Sequence, residues 1–356
     1  SYQGTGDFRD YKWDTYSVAF DGTDDYVDIG SIALGTVHTL SIWHKLGSLS
    51  SNPYLFGSTY AFALNLYGNG NAIYYRPDAG SPINVAHTFE GGWHHYAISR
   101  NGAAVNFYVD GAQVGTTQTV GASYDFTLKY LMSYNKVYFG NGETDEVAVW
   151  DSALSAIDIS AIYNGGTPQS LAPYSPLSWW RMGDGTLDNG NIAGNGLIGD
   201  QVNPTLGSEL VTDFTNGTAY PLNTLVTNGR DITSAIESSN GWGGAASNAI
   251  SVTVGEIYKV SFNLTHNSGA DVKVTIVAVA SGSSAVLSNS LQTNTDGPNT
   301  VYLTVIGTDS TAFLEFSNWG GSNFNFAATD ISCKLVNGNA GLMENMTASD
   351  IVADTP

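Results

Sequence analysis

The sequence has one cysteine, Cys333, in 356 residues. A lone thiol closes no intrachain disulfide, and it excludes zinc ribbons and CxxC redox chemistry. Positive charge is also scarce: 12 Lys and Arg stand against 32 Asp and Glu, a formal net charge of −20. So few cations have little with which to neutralise phosphates, and nucleic acid is not an expected partner. Charge of either sign makes up 12% of the chain, about half the ~25% of ordinary globular proteins. No apolar run approaches the ~20 residues of a membrane span, so membrane insertion is not expected. The start, Ser1-Tyr2-Gln3-Gly4-Thr5-Gly6, is polar and lacks the apolar stretch of a signal peptide.

What is present is glycine and aromatic residues: 41 Gly, 20 Tyr, 14 Phe and 8 Trp, with 42% of the chain hydrophobic. That is enough to build cores and argues against disorder. The length predicts two domains. Nearly every segment reads as a short strand followed by a turn. Thr39-Leu40-Ser41-Ile42-Trp43 and Val105-Asn106-Phe107-Tyr108-Val109 alternate polar and apolar, the mark of a half-buried strand. The second runs into Asp110-Gly111, a hairpin signal because both residues tolerate positive φ. One short helix is expected after Ser155-Ala156-Ile157-Asp158, a capping box, and Gly165-Gly166 stop it. Residues 167–206 read as a linker rich in Gly, Asn and Pro, and residues 207–337 carry a second run of strands. The ends, 1–14 and 338–356, read as an arm and a tail. The fold class is all-β, with two tandem β-sandwich (jelly-roll) domains at 15–166 and 207–337.

Four segments of the first half occur together in an order that resembles laminin-G-like, concanavalin A-type lectin domains. They are Val18-Ala19-Phe20-Asp21-Gly22, Leu40-Ser41-Ile42-Trp43, Gly92-Trp93-His94-His95-Tyr96 with its hairpin, and Thr144-Asp145-Glu146-Val147-Ala148-Val149-Trp150. The resemblance implies a curved two-sheet sandwich that binds glycans or proteins, often with a structural calcium. Asp21 and Asp145 are the matching calcium positions, and Asp24 and Asp25 lie nearby. His94 and His95 are adjacent on a strand and point to opposite faces, so they are read as core or supporting residues. Related folds include laminarinase-type hydrolases with alternating carboxylates on one strand. Here Glu143-Thr144-Asp145-Glu146-Val147-Ala148 breaks that pattern, so no catalytic residue is assigned.

Gly207-Ser208-Glu209-Leu210-Val211, Asn240-Gly241-Trp242 and Thr329-Asp330-Ile331 resemble a galactose-binding-like jelly roll. That resemblance implies a second calcium held by Glu209 and Asp330. Sugar binding needs flat aromatic faces beside amides and hydroxyls. Trp242 and Trp319 lie in Gly/Ser/Asn-rich loops and are the expected platforms, with Asn240 and Asn318 as hydrogen-bonding partners. Sequons at Asn216, Asn263 and Asn345 are expected by chance in so Asn- and Ser/Thr-rich a chain.

Leu177-Ser178-Trp179-Trp180-Arg181-Met182-Gly183-Asp184 and the tail Gly341-Leu342-Met343-Glu344 are similar to segments of marine bacteriophage structural proteins. The expected role is therefore a non-enzymatic virion surface protein, in a tail fibre or as capsid decoration. Its expected partners are glycans, the host surface, other virion proteins and further copies of itself. The alternatives are a secreted carbohydrate-binding protein, or the binding part of a polysaccharide-degrading enzyme.

Overall fold

The computed structural model describes residues 14–48, 52–68, 71–78, 80–185, 188, 196–203, 205–218, 220–238, 243–279, 286–318, 322–346 and 348–356. These divide into two compact units. The first draws on Ser1–Asn191, Asn195–Pro204 and Gly338–Pro356, and the second on Thr205–Asn337. Among the described residues no helix is long and apolar enough to cross a membrane.

The first unit is a sandwich of two eight-stranded antiparallel sheets. One sheet runs Ala112–Thr119, Ala104–Val109, Trp93–Asn101, Val37–Leu46, Asn141–Trp150, Ser17–Asp21, Ile351–Val352, with Ser178–Trp180 beside Asn141–Trp150. The other runs Gly196–Ile198, Gly341–Glu344, Tyr26–Ala33, Thr127–Leu131, Tyr54–Gly57, Phe62–Tyr67, Ala72–Arg76, Ile83–Ala86. Alternate residues of both sheets, such as Leu40, Ile42, Val147 and Val149 from one and Val27, Ile29, Ile73 and Leu131 from the other, fill the layer between them. The helix Ala156–Tyr163 begins at the expected capping box, where Ser155 accepts from the Asp158 N–H and Asp158 accepts from Ser155 N–H. The Asp110-Gly111 hairpin has both central residues at positive φ, 48° and 74°.

The expected linker and tail are corrected by this architecture. Ser178–Trp180 and Gly196–Ile198 are strands of the first unit, as are Gly341–Glu344 and Ile351–Val352. Trp180, Ile198 and Met343 belong to its core. These short segments carry too little apolar periodicity to read as strands alone; burial against distant partners makes them strands.

The second unit pairs two six-stranded antiparallel sheets. One holds Thr224–Asn228, Asp231–Glu237, Phe324–Val336, Ile257–Gly269 and Gly297–Thr304, with Leu206–Glu209 beside Phe324–Val336. The other holds Phe214–Asn216, Gly243–Ser247, Thr311–Asn318, Val272–Val277 and Val286–Thr293, with Ile250–Ser251 beside Thr311–Asn318. Its core is aromatic: Phe316 lies 5.6 Å from Phe214 and 5.0 Å from Phe262, both edge-on.

Candidate functional site

The described residues place a layer of aromatic rings on the outer face of the second sheet of the first unit. Cross-strand register fixes which side chains share this face. Asp28 stands opposite Tyr130, Tyr130 opposite Gly57, Gly57 opposite Phe62, and Phe62 opposite Arg76. Tyr54 stands opposite Asn65, and Asn65 opposite Tyr74. Strict alternation would put Phe62 and Asn65 on opposite faces. A register shift between Ala63 and Asn65, with Leu64 at φ 52°, reunites them. This bulge re-aims the strand so that Tyr54, Phe62, Tyr74 and Arg76 all face outward.

A short hairpin, Ser133–Tyr134 paired with Tyr138–Phe139, lies over this face. Its turn residues Asn135 and Lys136 have φ of 58° and 54°, and the Val137 N–H donates to the Tyr134 carbonyl. That is a mirror-image turn of the kind that suits strand twist. The hairpin sits against Gly57 so closely that a Cβ there would lie 2.2 Å from the Ser133 carbonyl oxygen.

The rings then stack. Tyr54 and Tyr134 have centroids 5.4 Å apart at 24°, and Tyr134 and Tyr138 5.8 Å apart at 15°. Phe62 meets Tyr54 edge-on at 5.2 Å. Tyr26 meets Tyr130 edge-on at 5.7 Å, and the Lys136 ammonium lies 5.1 Å and 5.2 Å from those two ring centres while pairing with Asp28 at 3.3 Å. Tyr26, Phe62 and Tyr130 are buried yet lie outside the inter-sheet core; they form a second apolar layer under the hairpin. Tyr138 on top is 51% exposed. The hydroxyls of Tyr54, Tyr74 and Tyr138 make no hydrogen bond among the described residues. Burial foremost, then the phenols of Tyr138 and Tyr134, push the Tyr54 phenol up, while the Arg76 guanidinium pulls it back.

The residues expected from the sequence fall elsewhere. Trp242, Asn240 and Trp319 lie outside the described residues. Asn318 is buried at the end of its strand, and its amide donates to the Ser322 carbonyl at 2.8 Å. The first and last strands of the lectin-type pattern do meet, with Asp21 opposite Asn141. Asp145 is farther along its strand, however, so the two carboxylates join different groups. Asp21, Asp24 and Asp25 gather at an exposed turn. There Asp21 accepts from the Thr23 N–H at 2.6 Å, and burial pushes Asp25 up to about 6.

Asp145 gathers instead with Asp14 and Glu146, whose carboxylate oxygens lie within 4.8 Å of one another. Arg181 already supplies a cation to this group, 2.9 Å from Glu146. Burial, foremost, and the neighbouring Glu146 and Asp14 charges raise Asp145 well above the carboxylate range. The expected Glu209–Asp330 pair is not formed. Glu209 is saturated by the Cys333 N–H at 2.7 Å, the Ser332 hydroxyl at 2.7 Å and Arg230 at 2.6 Å. Asp330 accepts instead from the Asn263 amide at 2.7 Å. We assign an ion to none of these groups. His95 bonds Ser41 and His94 bonds Asp110, each at 2.7 Å, so the two imidazoles serve different partners.

Residues 21–160 match a family model described as the Concanavalin A-like lectin/glucanases superfamily. Comparison with curated proteins finds no match. Among solved structures, the heptameric SAP-like pentraxin from Limulus polyphemus is 16% identical, covering 44% of this chain and 85% of its own, at TM-score 0.35. The mouse laminin α1 chain, domains LG4-5, is 12% identical over 95% of this chain and 83% of its own, at TM-score 0.32. Domain 4 of AbnA, an extracellular arabinanase from Geobacillus stearothermophilus solved in complex with arabinotriose, is 17% identical. It covers 41% of this chain and 76% of its own, at TM-score 0.31.

Proposed function

We propose that this chain, with a concanavalin A-like lectin domain at its start and a second β-sandwich behind it, is a non-enzymatic glycan-binding protein that binds sugar on its tyrosine face. One observation carries the proposal: rings stacked on the outer side of a sheet, apart from the core, with the Tyr54 and Tyr138 hydroxyls holding no partner among the described residues. The C–H face of a sugar meets the negative face of an aromatic ring, and nearby hydroxyls read its equatorial and axial groups.

Hydrolysis finds less support. Cleavage of a glycosidic bond needs two carboxyl groups flanking it. Glu143 and Asp145 stand opposite Lys45 and Trp43 on the first sheet, not on the sheet that carries the tyrosine face. Glu143 is held by Lys45 at 3.0 Å and Asp145 is fully buried. A glycan array with the full chain and its Tyr138→Ala variant tests the reading. Bound glycans lost or weakened about tenfold in the variant support it; a blank array for the native chain refutes it. A reducing-end assay across the bound glycans should show no release.

The setting we propose is the surface of a virus particle, with other virion proteins and further copies of the chain as neighbours. A surface of amides and hydroxyls with a single buried thiol suits assembly in a reducing cytoplasm. Mass spectrometry should find the chain in purified particles; its presence in the secreted fraction instead would favour an extracellular carbohydrate-binding protein.

A further inference from the structure

The ring stack says where a sugar sits, and the charges beside it say which sugars. Of the other described arginines, Arg181 pairs with Glu146 and Arg230 with Glu209, while Arg100 is fully buried and spends its fork on the Gly102 and Gly121 carbonyls and the Tyr75 hydroxyl. Arg76 differs from all three. Its Nε donates to the Gly80 carbonyl at 3.3 Å and its Nη1 to the Tyr134 hydroxyl at 3.4 Å. Among the described residues it meets no carboxylate. Both contacts are long, and the remaining N–H donors of the half-buried fork have no acceptor among the described residues.

The register puts this guanidinium opposite Phe62, on the face that carries Tyr54 and the hairpin over it. A planar fork with unused donors matches a carboxylate or sulfate two oxygens at a time, which an ammonium cannot do. The surplus negative charge of the chain opposes an anionic partner at long range, but at physiological salt that repulsion is screened beyond ~8 Å.

We propose that the tyrosine face takes an anionic saccharide, its ring on Tyr134 and Tyr138 and its carboxylate or sulfate on the Arg76 guanidinium. The proposal rests on the glycan-binding reading above and narrows it to a ligand class.

Titration calorimetry at 0.15 M salt tests it with the full chain and three oligosaccharides of matched length: oligogalacturonate, κ-carrageenan oligosaccharide and a neutral galactan. The two acidic probes separate a carboxylate from a sulfate ester. At least one is expected to bind tenfold or more tighter than the neutral probe. In Arg76→Gln the acidic-to-neutral affinity ratio should fall at least tenfold, and Arg76→Lys, which keeps the charge and loses the fork, should restore only part of it. Melting curves of both variants establish that they fold. Equal affinity for acidic and neutral probes, or a ratio unchanged in Arg76→Gln, overturns the ligand class and leaves the glycan-binding reading standing. No binding in any arm, together with a blank glycan array, overturns both.

Discussion

Both sandwiches bury aromatic residues between their sheets, Phe56, Phe107 and Phe126 among them in the first, but the first also carries a cluster of rings on an outer face. In the second, Phe214, Phe262, Phe316, Phe324 and Phe326 sit between the sheets and make its core. In the first, Tyr26, Tyr54, Phe62, Tyr130, Tyr134 and Tyr138 lie outside the core, on the outer surface of one sheet. The same ring chemistry closes a core in one place and in the other builds an outer layer topped by Tyr138, 51% exposed. Strand register decides between these outcomes, and in the first unit the bulge at Leu64 brings Asn65 onto the outer face that Phe62 already occupies. Abundance of aromatics in a β protein is thus no guide to binding until the face is known.

The comparison breaks most forcefully at Phe316. It is fully buried with rings on two sides, and Phe316→Ala should cost the second unit about 3–5 kcal/mol. Cys333 is the natural reporter: it is buried in the same core, and burial, with the nearby Glu209 charge, pushes its thiol up to about 12. Native-state thiol labelling should be slow in the parent and accelerate by two orders of magnitude or more in the variant. Unchanged labelling would mean that the aromatic cluster is not what holds this unit closed.

Gly57→Val probes the other side. Its side chain would displace the hairpin that completes the ring stack. Glycan affinity should fall at least tenfold while Cys333 stays protected. Loss of both would show that the hairpin is a folding element of the whole chain.

A smaller effect separates the units by pH. His44 and His95 lie in the first unit, and burial pushes each down to about 4; the Asp110 charge opposes the shift only weakly at His95. Their unfolded value is ~6.5. Between these limits the unfolded chain takes up protons that the folded chain refuses. The stability from each neutral imidazole is therefore complete above pH ~6.5 and is lost as pH falls toward about 4, at up to ~1.4 kcal/mol per pH unit. Glu146 works oppositely. Its carboxyl is raised to about 8, chiefly by burial, so it penalises the fold as pH rises through the neutral range. His95→Gln should flatten the acid side of the first unit's melting profile and leave its alkaline side unchanged. An unaltered acid slope would contradict the assignment of His95 as a buried neutral base.

Much of the scaffold was legible in the chain because it is written locally. Thr39–Trp43 alternates, Asp110-Gly111 tolerates positive φ, and Ser155 and Asp158 form a capping box. The tyrosine face is not legible there, where tryptophans in glycine-rich loops are the more conspicuous platforms. Its parts come from segments around residues 26, 54, 62, 130 and 138, and only pairing across five strands brings them together. The pattern Ser133-Tyr134-Asn135-Lys136-Val137-Tyr138-Phe139, aromatic residues flanking a turn, was the one local signal. The strands within the linker and tail are hidden for a related reason. Gly341–Glu344 pairs with Tyr26–Asp28 across most of the chain length and with Gly196–Ile198 on its other side, and none of these segments shows its partner in its own residues. Asp21 and Asp145 are kept apart by a four-residue offset: Asp21 meets Asn141, and Asp145 lies beyond it.

The central claim, that sugar binds on the tyrosine face of the first sandwich, is tested most directly by two double variants of the full chain on one glycan array. One is Tyr134→Ala with Tyr138→Ala, and the other is Trp242→Ala with Trp319→Ala. The account predicts that the tyrosine pair loses the signal of the native chain while the tryptophan pair keeps it. Retention by the tyrosine pair with loss by the tryptophan pair would contradict it.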